Sequence, residues 1–69
     1  MRYVVVFERT RRNYGAYVPD LPGCVATGKT RDQIANRIKT AIAFHIEGMK
    51  EHGLPVPEPT AWADSVEVA

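Results

Sequence analysis

Gly23 to Ile34 reads GCVATGKTRDQI, and its first eight residues satisfy G-x-x-x-x-G-K-[ST], the pattern of a phosphate-cradling loop. Such a loop needs a buried strand just upstream, small flexible residues whose amides wrap the phosphates, and a helix opening at the Lys-Thr pair. Only the helix is in prospect here. The residues before Gly23 are Pro19-Asp20-Leu21-Pro22, and Val25 and Thr27 inside the motif are β-branched strand formers. No second buried strand ending in an Asp follows to hold magnesium. The segment therefore predicts a short strand over Cys24–Thr27, a turn at Gly28 into a helix, Lys29 as a solvated side chain, and no nucleotide cofactor.

Downstream, Thr30 and Gln33 form a capping box, in which the hydroxyl accepts from the Gln33 amide while the Gln33 side chain reaches back to the Thr30 amide. Ile34, Ile38, Ala41, Ile42, His45, Ile46 and Met49 then recur at three- and four-residue spacing, one apolar stripe on a long helix. Gly53 suits the left-handed closing position and Pro55 forbids continuation, so the helix ends near His52. Upstream, Tyr3–Glu8 (YVVVFE) and Tyr14–Val18 are rich in β-branched and aromatic residues, and Arg9–Asn13 between them is polar and cationic. They predict a hairpin with a basic tip. Prolines cannot donate to a sheet ladder, so Pro19–Gly23 is a connection, with Pro22-Gly23 suited to the centre of a type II turn. Leu54–Asp64 has three prolines at alternate positions and should run extended as a spacer, and Ser65–Val68 alternates like a last strand. The order β-β-β-α-β predicts an α+β, two-layer sandwich, with one helix on one face of a four-stranded sheet. A last strand parallel to the first would make helix and spacer a right-handed crossover.

The 69 residues amount to one domain, and a chain this short buries only about 60% of the surface its unfolded form exposes. Cys24 is the lone cysteine, so no internal disulfide can help, and no Cys/His spacing suggests a structural zinc site. Self-association, as a homodimer or higher homo-oligomer, is the remaining support. No apolar run approaches the ~20 residues of a membrane span, and Met1-Arg2 leads straight into the first strand without a signal-peptide pattern, so a cytoplasmic location is expected. The net charge is +1, yet residues 1–40 carry eight Lys/Arg against three Asp/Glu while residues 41–69 carry one against five. A mixed solvated surface and a polar contact face both fit that asymmetry.

The segment Tyr14–Pro59, with Tyr-x-Ala before Val-Pro-Asp-Leu-Pro-Gly-Cys, the Gly-x-Thr helix start, the Ala/Ile helix and Gly-x-Pro-x-Pro-x-Pro, resembles the signature of the HicB-like antitoxin family. The resemblance covers nearly the whole chain, and residues 1–69 are expected to form a single HicB-like domain. It implies a partial ribonuclease-H-like fold and a role in neutralising HicA, a small basic RNA-cleaving toxin. Longer family members carry a C-terminal DNA-binding domain; this chain stops at Ala69 without one, so DNA binding by this chain alone is not expected.

A ribonuclease-H-like fold raises the question of nuclease activity. That chemistry gathers several carboxylates on two metal ions, with the leading Asp midway along the first strand, where Val4–Phe7 stand here. A binding protein rather than an enzyme is expected. His45 lies on the apolar stripe with no nucleophile or orienting acid near it in sequence, and reads as a partly buried structural residue. Cys24 reads as a small core residue. Asp20, Leu21 and Pro22, in a loop stiffened by two prolines, and Trp62, of a residue type enriched at interface hot spots, are the expected toxin contacts. Trp62 reads equally well as packing of the spacer onto the domain. Arg9, Arg11 and Arg12 at the hairpin tip offer a different reading, a small nucleic-acid-binding module, although no aromatic interleaves them as a single-strand platform requires.

Overall fold

A computed structural model describes residues 1–69. Strands β1 (Val6–Arg9), β2 (Tyr14–Tyr17) and β3 (Val25–Gly28) precede one helix, α1 (Arg31–Glu51). The strands form an antiparallel sheet in the order β1-β2-β3. β1 begins at Val6 rather than Tyr3. Its register with β2 sets Val6 against Tyr17 and would bring Val4 against Pro19, which has no N–H to donate.

Two consecutive turns carry the chain from β2 to β3. The Leu21 amide donates to the Val18 carbonyl, and the Cys24 amide donates to the Leu21 carbonyl, each at 3.0 Å. Gly23 has φ +85°, the left-handed third position that a type II turn requires after Pro22. This double turn folds Leu21 inward until it is fully buried.

α1 opens as the capping residues predict, with the Gln33 amide donating to Thr30 Oγ1 at 3.0 Å. The reciprocal bond differs from expectation, because Gln33 Oε1 accepts from the Lys29 amide rather than from that of Thr30. At the other end the Leu54 amide donates to the Met49 carbonyl and the Gly53 amide to the Lys50 carbonyl, with Gly53 at φ +68°. That is a Schellman closure.

The core is Ala16, Val18, Leu21, Cys24, Ile34 and Ile38, with Ala41, Ile42, Ile46 and Met49 partly buried against it. The apolar stripe therefore faces the sheet as its spacing predicts. α1 packs on β3 and β2 and does not reach β1. A 21-residue helix is about 32 Å long, whereas a four-residue strand spans about 13 Å, so the C-terminal half of α1 overhangs the sheet. Tyr3 and Val5 pack against the core ahead of β1, and Tyr3 Oη donates to the Pro57 carbonyl at 2.5 Å, which holds the returning spacer.

The expected fourth strand is not formed. Ser65–Val68 pairs with nothing, the sheet has three strands, and the last strand of the ribonuclease-H-like arrangement is missing from it. A strand exists through its ladder, and beyond Ala61 the chain leaves the sheet with Val66 and Val68 each 82% exposed.

Candidate interaction surface

Asp20 stands where the β2–β3 turns meet the returning spacer. Its Oδ2 accepts from the amides of Thr60 (3.1 Å) and Ala61 (3.0 Å), and its Oδ1 from Thr60 Oγ1 (2.8 Å). One carboxylate thus satisfies two backbone donors that the proline-rich spacer cannot satisfy within itself. The bond from Ala61 foremost, then that from the Thr60 hydroxyl, holds the Asp20 carboxyl below its ordinary 3.8. A carboxylate with a lowered folded pKa contributes stability above its unfolded value and loses it as pH falls through the folded one. The Thr60 and Ala61 amide proton resonances are therefore expected to stay fixed above about pH 5 and to shift with a midpoint below 3.8. A midpoint at or above 3.8 in an NMR titration would show that the latch does not hold in solution.

Of the four residues expected to contact a toxin, Leu21 is 0% exposed and its side chain serves the core. The Asp20 carboxylate is engaged by Thr60 and Ala61. Pro22 is exposed at the corner of the type II turn. Trp62, 82% exposed, follows directly on the latched Ala61, so the latch sets the backbone that leads into Trp62 beside Asp20 of the Pro19–Gly23 loop. The packing role considered for Trp62 is not realised. Thr60 and Ala61 complete this corner, and nothing local in the sequence points to them, because their partner lies 40 residues away.

A second, basic surface lies at the far end of the sheet. Thr10 Oγ1 bonds with Asn13 across the hairpin tip and accepts from the Asn13 amide. The register of β2 on β3 pairs Tyr14 with Gly28, which sets Lys29 beside that tip. Arg9, Arg11, Arg12 and Lys29 together border a polar hollow of about 410 Å³. Lys29 belongs to this surface only through the strand register, which the sequence leaves implicit.

Gly23–Thr30 does not form a phosphate cradle. Val25–Gly28 is strand paired to β2, the Lys29 amide is taken by Gln33, and Gly28 lies buried against the first turn of α1. Cys24 is buried, and desolvation raises its thiol pKa, the opposite of what a reactive cysteine needs. His45 is half-buried on α1, and the exposed His52 sets Nδ1 2.7 Å from the Gly48 carbonyl at the helix end. No three His, Cys, Asp or Glu side chains gather closely enough to hold a metal ion. No helix is long and apolar enough to cross a membrane.

A family model, HicB_like antitoxin of bacterial toxin-antitoxin system, matches residues 3–68. An uncharacterized 14.9 kDa protein of the rep-hol intergenic region of Haemophilus phage HP1 is 40% identical over 58 residues, 84% of this chain and 44% of the phage protein. A UPF0150 protein of Thermoplasma acidophilum is 37% identical over 62 residues, 88% of this chain and 90% of the relative. The chain thus spans less than half of the phage relative's length and nearly all of the Thermoplasma one's. Among solved structures, a chain of a HicA3 and HicB3 toxin-antitoxin complex superposes with a TM-score of 0.73 at 32% identity, covering 86% of this chain and 70% of that one.

Proposed function

Because the chain belongs to the HicB-like antitoxin family, we propose that residues 1–69 act as a single cytoplasmic antitoxin domain that neutralises a HicA-like, RNA-cleaving toxin by covering its active surface. The observation that carries this reading is the superposition on a chain of the HicA3 and HicB3 complex at 32% identity, which extends over 86% of the present chain. Membership in an antitoxin family suggests a regulatory binding protein rather than an enzyme. The contact centres on Pro22 and Trp62. Leu21 anchors the loop from below, and the Asp20 latch fixes the residue before the indole. A large aromatic held on a pinned backbone loses little freedom when it docks, which favours a hot-spot role.

Capture by a tagged HicA-like toxin encoded beside this chain tests the reading. The wild type is expected to be retained without RNA. Trp62→Ala should weaken binding by about 2 kcal/mol, roughly thirtyfold, with the fold intact because the side chain is exposed. Asp20→Asn should weaken it less, by releasing the backbone that carries Trp62. A wild type that retains no toxin would sink the antitoxin reading, and a Trp62→Ala variant retained equally well would move the contact elsewhere. The four cations around the hairpin hollow favour a second reading, binding of a nucleic-acid backbone. Salt-sensitive RNA binding in the absence of toxin would support it.

A further inference from the structure

The C-terminal segment and the free edge of β1 are each incomplete, and they complement one another. β1 is an edge strand. The Thr10 amide donates to the Asn13 carbonyl, and antiparallel alternation from that pair turns the backbone N–H and C=O groups of Phe7 and Arg9 away from β2, onto the open edge. Phe7 shares the helix-side face with its buried partner Ala16, yet α1 does not reach β1, so Phe7 is 51% exposed. A groove of about 570 Å³ remains there, its apolar side formed by Phe7, Tyr14, Ile34 and Ala35 and its rim by the charged Glu8, Arg9 and Arg31.

The segment Asp64–Val68 has the opposite properties. Val66 and Val68 fall on one side of an extended chain and both are exposed, with no ladder to satisfy the backbone between them. Residues 54–69 carry three acids and no Lys or Arg, whereas residues 1–13 carry four arginines against one glutamate. The segment does not return to its own sheet, because it is pinned at Pro57 and at Thr60-Ala61 and then departs.

We infer that Asp64–Val68 of one copy adds as a fourth strand to the β1 edge of a second copy, and reciprocally, making a two-fold dimer by exchange of C-terminal arms. The occupant of the edge is a second copy of this chain. The eight residues from Ala61 to Val68, seven steps along the backbone, reach about 23 Å when extended, enough to cross to a neighbour. Val66 and Val68, facing the helix side, cover Phe7 and close the mouth of the groove. The arm's two acids, Asp64 and Glu67, meet the arginines at the strand end and hairpin tip, Arg9, Arg11 and Arg12. The exchange also removes two liabilities, an exposed strand edge and an exposed apolar tail.

Sedimentation velocity on the purified chain tests this without any toxin, so its outcome is independent of the antitoxin reading. At roughly 100 µM protein, since assembly follows mass action, the wild type is expected to run at twice the 7.7 kDa of one chain. In either register one of two adjacent amides must face the ladder. Hence either Val66→Pro or Glu67→Pro should weaken the dimer by at least about tenfold, as should the double change of Val66 and Val68 to Ser. Helical circular dichroism should be unchanged, because the arm lies outside the core. A monomer at every concentration, or a dimer indifferent to all three variants, would overturn the proposal. So would a monomer whose arm amides resist hydrogen exchange, which would mean that the arm folds onto its own β1.

Discussion

Leu21→Ala is expected to remove about 3 to 5 kcal/mol of stability, the range found where a buried leucine leaves a cavity that its neighbours cannot close. A domain of 69 residues holds only some 3.5 to 10 kcal/mol in total, so the substitution removes from about a third of that stability to all of it. The reason is geometric. Leu21 is fully buried although it sits in a loop, held between two turns whose hydrogen bonds join Val18, Leu21 and Cys24. Only seven residues of the chain are buried, so little else can collapse into the space. Urea unfolding at fixed protein concentration reads the effect as a shift of the midpoint. Val25→Ala, on the open face of β3, serves as the control and should stay within about 0.5 kcal/mol of the wild type. A Leu21→Ala midpoint as close to wild type as that would show that the double turn contributes little to the core.

Leu21 also shows where the sequence stops being legible. A leucine between prolines reads as a loop residue, and loops read as surface, so it was expected at a contact. The signal that places it inside is the three-residue spacing Val18, Leu21, Cys24, which becomes apolar periodicity only once both turns are known. The elements with local causes were legible: the Ile34–Met49 stripe, the Thr30 cap, the Gly53 closure and the type II turn at Pro22-Gly23 each follow from residues a few positions apart. The features with distant causes were not. Asp20 finds Thr60 and Ala61 across 40 residues, and Lys29 joins the arginines only through strand register. The alternation in Ser65–Val68 describes a chain able to be a strand, but a strand needs a neighbour, and nothing local names it. The groove beside Phe7 arises because α1 leaves β1 uncovered, which follows from packing rather than from the pattern of either element.

Gly28→Val is expected to destabilise the protein by about 3 kcal/mol or somewhat more, through the opposite fault. A Cβ built on Gly28 would lie 2.9 Å from the Ile34 amide nitrogen, 3.2 Å from its Cα and 3.3 Å from its Cβ. Two of those atoms are backbone in the first turn of α1, so the obstacle cannot rotate away. Gly28 does not have a positive φ, so the requirement is one of space and not of conformation. It allows the helix to start with only two residues between it and the strand and still lie close on the sheet. Overpacking of this kind costs about 1 to 3 kcal/mol, with Gly28→Ala near the lower end and the branched valine near or above the upper. In a domain of this size each kcal/mol moves the melting temperature by about 4 to 8 °C. Gly53→Ala gives a useful contrast: φ is +68° and no atom lies within 4 Å, so its cost is the left-handed strain alone, about 1 to 2 kcal/mol. Lys29→Ala should melt within about 0.5 kcal/mol of the wild type, since only the Lys29 amide, which alanine keeps, is engaged. The resemblance of GCVATGKT to a phosphate loop then has a structural origin: glycine for close approach of helix to sheet, threonine for the cap, and a solvated lysine between them. A Gly28→Ala melting temperature within about 2 °C of the wild type would mean that the first turn of α1 yields, and that this glycine is not what sets the distance between helix and sheet.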